Sequence, residues 1–125
     1  MTLTIQYLEE TIKPLKNFKK VGILSSKRTK DSRLYNNLLR NVQIIYPNEY
    51  EQNSVSKIII KIINRSYINS DKKRIEEIIA NLKNRGAEKI VLACTDLANI
   101  IELDDSIIDT QEVLINSIKN KMKEN

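Results

Sequence analysis

Apolar positions along this chain fall into short dense runs separated by amphipathic stretches. Val21-Gly22-Ile23-Leu24, Val42-Gln43-Ile44-Ile45 and Ile90-Val91-Leu92-Ala93 have the character of strands buried on both faces, and Ser106 to Ile108 is a shorter fourth. Between the strands the spacing turns helical. Ile5, Leu8, Ile12 and Leu15 recur at three- and four-residue steps, which predicts a helix from Ile5 to Lys16 that Pro14 weakens or ends early. Ser25 to Thr29 reads as a polar loop. Asp31 or Ser32 then caps a helix to about Arg40, with Leu34, Leu38 and Leu39 inward. Pro47 closes the second strand, and an isoleucine-rich helix spans Gln52 to Asn64. Ser70 is placed to accept from the first turn of a helix running from Asp71 to about Arg85. That helix has Ile75, Ile78, Ile79 and Leu82 on one face and Gly86 as its C′ residue. Leu97 to Ile101 forms a short helix, and Thr110 opens a final one through Ile118. Strands alternating with helices predict an α/β lobe: a short four-stranded parallel sheet flanked by helices.

A chain of 125 residues is one domain by size, and no internal repeat or low-complexity linker divides it. The single cysteine excludes an internal disulfide, and without a secretory signal pattern a reducing, cytoplasmic compartment is expected. The longest apolar run, Ile58 to Ile63, is broken by Lys61 and is far shorter than the roughly 20 residues of a membrane span. The net charge of +5 raises the question of nucleic acid. The basic residues are interleaved with acidic ones, as in Lys72-Lys73-Arg74 before Glu76-Glu77, and no basic run alternates with stacking aromatics. Solvated helix faces, rather than a nucleic-acid or membrane surface, account for that pattern.

Most site chemistries lack their parts. There is no histidine, so Cys-His and Ser-His pairs are impossible within the chain, and one cysteine without histidine makes no zinc site. No G-x-G-x-x-G or Walker loop is present, and only two glycines occur. What remains lies at strand ends. Ile90-Val91-Leu92-Ala93-Cys94-Thr95-Asp96 reads as a buried parallel strand running into a helix, with the only thiol at the junction. In open α/β sheets ligands bind outside the carboxyl ends of the strands. A thiol at a helix N-terminus is expected to ionise more readily, from about 8.5 toward roughly 7 or below. Ser25, Ser26, Lys27, Arg28 and Thr29 follow the first strand, and Asp109 and Thr110 follow the fourth; a parallel sheet brings all of these to one edge. Hydroxyls, helix N-termini and a cation together suit a small carboxylate.

These motifs, in this order, resemble the aspartate/glutamate racemase family, and within it the aspartate racemases. Ala93-Cys94-Thr95-Asp96 stands where the family has its second cysteine in a G-C-T-E motif, after a helix and a Gly-Ala turn matched by Leu82 through Gly86-Ala87-Glu88. Gly22-Ile23-Leu24-Ser25-Ser26-Lys27-Arg28-Thr29 matches the family's glycine-strand-threonine loop, with Tyr35 on the next helix. A strand closed by proline (Val42 to Pro47) and Asp109-Thr110 before the last helix complete the likeness, which runs from about Lys19 to Gln111. The resemblance implies racemisation of an acidic amino acid without pyridoxal phosphate or any other cofactor. In that mechanism two cysteines face each other, one thiolate taking the α-proton and the opposing thiol returning one. It implies Cys94 as one acid/base residue, with Ser26, Thr29 and Thr95 holding substrate carboxylates and Asp96 beside the thiol. The family's two similar lobes enclose the site between them.

Only the second lobe is matched. Residues 1–18 read as a connecting helix, 19–118 as the lobe and 119–125 as a polar tail. The first lobe's cysteine has no counterpart, the motif glycine is Ala93, and a lysine-glycine region of the family stands here as Asn64-Arg65-Ser66. The resemblance therefore implies a half-enzyme, inactive alone unless a second copy or a separate first-lobe chain encloses the substrate. Two alternatives stay open. One is another enzyme of the superfamily, such as a single-cysteine decarboxylase or a hydantoin-type racemase; the other is a non-catalytic α/β remnant used for assembly or binding. Tyr35 has the spacing of a packing residue.

Overall fold

The computed structural model describes residue 9 and residues 12–109. Four parallel strands form one sheet in the order β2-β1-β3-β4. They are β1 (Lys20–Leu24), β2 (Gln43–Ile45), β3 (Lys89–Leu92) and β4 (Ile107–Asp109). Gly22 of β1 stands opposite Ile45 of β2 and Ile90 of β3, and Val91 of β3 opposite Ile108 of β4. The helices are α1 (Lys27–Ser32), α2 (Leu34–Leu38), α3 (Glu49–Ile63), α4 (Asn69–Asn84) and α5 (Thr95–Ala98). The expected α/β lobe with a parallel sheet is therefore the fold of the chain.

The sheet has a core on each face, as period-two alternation requires when both are covered. Leu24, Ile90 and Leu92 join Val55, Ile58, Ile75, Ile78 and Leu82 of α3 and α4. Val21, Ile23 and Val91 point the other way, into Ile12, Leu15, Tyr35, Leu39 and Val42. Tyr35 is a core residue of this second face, 3% exposed, which agrees with packing rather than ligand contact.

Several element ends differ from the sequence expectation, each for a local reason. Ser25 to Thr29 is not a loop throughout: α1 starts at Lys27, and the cap is Ser26, whose Oγ accepts from the Thr29 N–H at 3.3 Å. The helix expected to reach Arg40 breaks at Arg33, which takes a left-handed conformation (φ 59°), and α2 continues from there. Leu39 and Tyr35 are buried, whereas Leu34 and Leu38 are only partly so. α3 begins ahead of Gln52 because Asn48 and Glu51 form a capping box, each side chain accepting the other residue's N–H at 2.8 and 2.9 Å. Ser70 is not the acceptor at the start of α4; the Asp71 carboxylate takes the Ile68 N–H at 2.9 Å. Lys61 meets the same carboxylate at 3.3 Å, joining the end of α3 to the start of α4. At Pro14 the backbone tightens into a 3₁₀ turn, Lys13–Asn17. Ile5 and Leu8 of the first expected helix, the final helix from Thr110 and the tail lie outside the described residues.

Gly86 ends α4 with φ +106°, a conformation that side chains strain, and a Cβ there would stand 3.0 Å from Lys20 Cδ. Gly86→Ala is expected to destabilise the fold by about 1–2 kcal/mol, the order of a left-handed non-glycine residue. Urea unfolding at equilibrium checks this; an unchanged midpoint would contradict it.

Candidate active site

The carboxyl edge of the sheet collects the candidate residues by register. Leu24 and Leu92 are paired across β1 and β3, and Leu92 pairs with Asp109 of β4. The ladder runs one residue beyond the strands, Ala93 N–H donating to Leu24 C=O at 2.8 Å. Ser25 and Ser26 therefore leave β1 beside the point where Cys94 leaves β3, with Asp109 on the far side. This is the edge where parallel sheets place ligands.

Cys94 precedes the first turn of α5 in extended conformation (φ −118°, ψ 118°) and is half-buried against the core that holds Leu97. Its Sγ lies 4.0 Å from Asp96 Oδ2, at the outer limit of a thiol hydrogen bond. Sequence reasoning expected the helix terminus to lower the thiol's pKa; the structure reverses that. Burial pushes the Cys94 thiol up. The Asp96 N–H pulls it down, the Asp96 carboxylate raises it again, the Leu97 N–H lowers it, and the net displacement is upward. One short turn of helix is too weak to overcome desolvation plus a neighbouring negative charge. The resting group is therefore the neutral thiol.

Removing that charge moves the balance the other way. Asp96→Asn is expected to lower the Cys94 pKa and to speed its alkylation by iodoacetamide about fivefold near pH 8, from roughly 1 kcal/mol of charge repulsion at this separation. An unchanged pH profile would show that the carboxylate does not act on the sulfur.

Ser26 and Thr29 form a second group on the same edge. The Ser26 hydroxyl donates to Thr29 Oγ1 at 3.2 Å, and both residues are partly exposed. Lys27 and Arg28 are exposed, while Lys30 turns back to the Pro47 carbonyl at 3.4 Å and stands 5.6 Å over the Tyr46 ring. Thr95 is the first residue of α5 and Asp96 the second. Thr110 lies outside the described residues. Among the described residues no cluster of His, Cys, Asp and Glu could hold a metal ion, and no helix is long and apolar enough to cross a membrane.

One residue of this edge was missed from the sequence. Gln52, on α3, is buried and donates from Nε2 to the Ser25 carbonyl at 3.0 Å. The available signal was a glutamine in the same helical stripe as Val55 and Ile59, an apolar face where an amide has no place unless it has a partner.

A parallel sheet with a lone half-buried thiol after its third strand, and a hydroxyl pair after the adjacent first strand, defines a class of α/β lobe with a cysteine at its ligand edge. The match to a family model fixes which one: over residues 5–118 the chain matches the Asp/Glu/Hydantoin racemase model, and it belongs to that family. Solved structures agree on the fold. A proposed Asp/Glu racemase from Yersinia pestis superposes with a TM-score of 0.79 at 18% identity, over 91% of this chain and 52% of that one. An aspartate racemase homologue from Pyrococcus horikoshii OT3 gives 0.74 at 23% identity, over 94% and 54%. The aspartate racemase of Picrophilus torridus gives 0.71 at 27% identity, over 91% and 51%. The chain thus spans about half the length of the solved structures it matches.

Proposed function

We propose that this chain is the cysteine-bearing lobe of a cofactor-independent amino-acid racemase, acting on aspartate or a similar acidic amino acid. The observation that carries this reading is the placement of Cys94 at the carboxyl end of β3, beside the Ser26–Thr29 turn that ends the paired strand β1. Membership of the racemase family and the likeness to an aspartate racemase support it. Ser26, Thr29 and Thr95 hold the substrate carboxylates through hydroxyls and backbone N–H groups, and Asp96 sets the ionisation of the thiol. Because burial keeps Cys94 protonated at rest, it starts as the proton-donating member of the acid/base pair. The opposing acid/base group comes from outside these 125 residues, since Cys94 is the only cysteine among them. A reducing, cytoplasmic compartment suits a lone working thiol.

A hydantoin-type substrate is the second reading, favoured by the breadth of the matching family. Titration with L-aspartate, D-aspartate, malonate and hydantoin, followed by amide shifts at Ser26, Thr29, Cys94 and Asp96, tests both. Saturable shifts of these amides with aspartate support the proposal. Shifts with hydantoin alone move the substrate to a cyclic ureide, and no shifts with any of the four would refute a ligand site at this edge.

A further inference from the structure

Gln52 is 3% exposed, yet its amide is only half satisfied. Nε2 donates to the Ser25 carbonyl at 3.0 Å and to Ser56 Oγ at 3.3 Å. Oε1 is buried and has no partner among the described residues. The orientation is not arbitrary. A carbonyl can only accept, so the nitrogen has to face Ser25, and the oxygen is left unpaired as a consequence. A methionine or leucine would fill the same place in the Val55 and Ile59 stripe without the orphan Oε1, but could not donate to the Ser25 carbonyl. The amide is therefore present for its bond to Ser25, and that bond lands on one peptide. Ser25 joins the end of β1 to Ser26, and Ser26 in turn accepts the Thr29 N–H through Oγ and the Lys30 N–H through its carbonyl.

We infer that Gln52 is a positioning residue: it ties the Ser25–Thr29 turn to α3, so that the Ser26 and Thr29 hydroxyls keep a fixed place on the edge that carries Cys94. This rests on the reading of that edge as a carboxylate site. The residue touches no ligand itself. It acts through Ser25, and it explains why the stripe of Val55 and Ile59 carries a buried amide.

Gln52→Met separates this role from ordinary packing. The substitution removes the orphan Oε1 and leaves the Ser25 carbonyl unpaired, so one buried unpaired acceptor replaces another. The melting temperature is expected to stay within about 3 °C. The tie itself is lost. In the ligand-free protein the Thr29 and Lys30 amides are expected to exchange with deuterium about tenfold faster, as local opening becomes easier. The dissociation constant for aspartate, read from amide shifts, is expected to rise about tenfold. Unchanged exchange at Thr29 and Lys30 overturns the tie, whatever the ligand does. Faster exchange with unchanged aspartate affinity overturns the positioning role. A fall of the melting temperature by ten degrees or so, accompanied by general loss of protection, makes Gln52 a plain core residue and also overturns it. Absence of aspartate binding by the unsubstituted chain overturns the carboxylate reading and the positioning role together. The exchange measurement, made without ligand, tells that failure apart from a failure of the tie.

Discussion

Leu82→Ala is expected to destabilise the chain by about 2–5 kcal/mol, the range for deleting a buried leucine side chain, and to lower the melting temperature by roughly 10 °C. Leu82 is fully buried on α4 and packs directly over Gly22 of β1: a Cβ built on Gly22 would lie 3.3 Å from Leu82 Cδ1. The contact explains why β1 tolerates a glycine in its middle. The same Cβ would come within 2.8 Å of Ile90 Cδ1 and 3.3 Å of Ala87 Cβ, so the absent side chain at 22 is the space into which α4 and β3 close. Gly22→Ala alone is therefore expected to cost about 1–3 kcal/mol through overpacking. In the double variant the methyl at 22 partly occupies the cavity left by Leu82. The combined loss is then smaller than the sum of the single losses, while the crowding against Ile90 persists. Urea denaturation of the four chains checks this, and strict additivity would contradict the packing described.

Cys94→Ala is expected to abolish any proton exchange this chain supports at the α-carbon of an acidic amino acid, by several orders of magnitude, since no other group here has the chemistry to replace it. The chain contains no histidine, and Asp96 lies beside the sulfur at the same strand end. Stability should hardly move. The thiol is half-buried, and losing one sulfur atom from a partly exposed site costs on the order of 1 kcal/mol or less. Binding of aspartate to the Ser26–Thr29 side should also survive. Loss of exchange with binding and stability retained assigns Cys94 to the chemistry; exchange that persists in the variant removes it from the mechanism.

The parts of the fold that were legible in the sequence are those that bury apolar faces. Val21 to Leu24 and Ile90 to Leu92 announced themselves as dense apolar runs, and Ile75, Ile78, Ile79 and Leu82 as a helical stripe, because their apolar side chains enter a core. α1 was misread as loop for the converse reason. None of its residues is buried, so there was no periodic face to find, and only the Ser26 cap marks its start. Capping also misled at α4, where Ser70 is a plausible acceptor by type but Asp71, placed on the first turn, takes the Ile68 N–H instead. The candidate site followed a similar division. Strand order and register alone bring Cys94 beside Ser25 and Ser26. The ionisation of Cys94 was not legible, because it depends on how deeply the sulfur sits against the core, a tertiary quantity that outweighs the local helix terminus. Gln52 was hidden for the same reason: its partner lies 27 residues away in the chain.

The measurement that tests the central claim most directly is hydrogen–deuterium exchange at the α-carbon of L- and D-aspartate in deuterated water, followed by proton NMR across pH. A thiol held protonated by burial must lose its proton before it can act as a base. The account therefore predicts that any exchange requires Cys94 and keeps rising past the ordinary thiol pKa of about 8.5. A single thiol on one side of the substrate further predicts exchange of one enantiomer with retention, and inversion only when a second lobe supplies the opposing acid. Exchange that is unaffected by Cys94→Ala, or exchange that levels off below the ordinary thiol pKa, would contradict it.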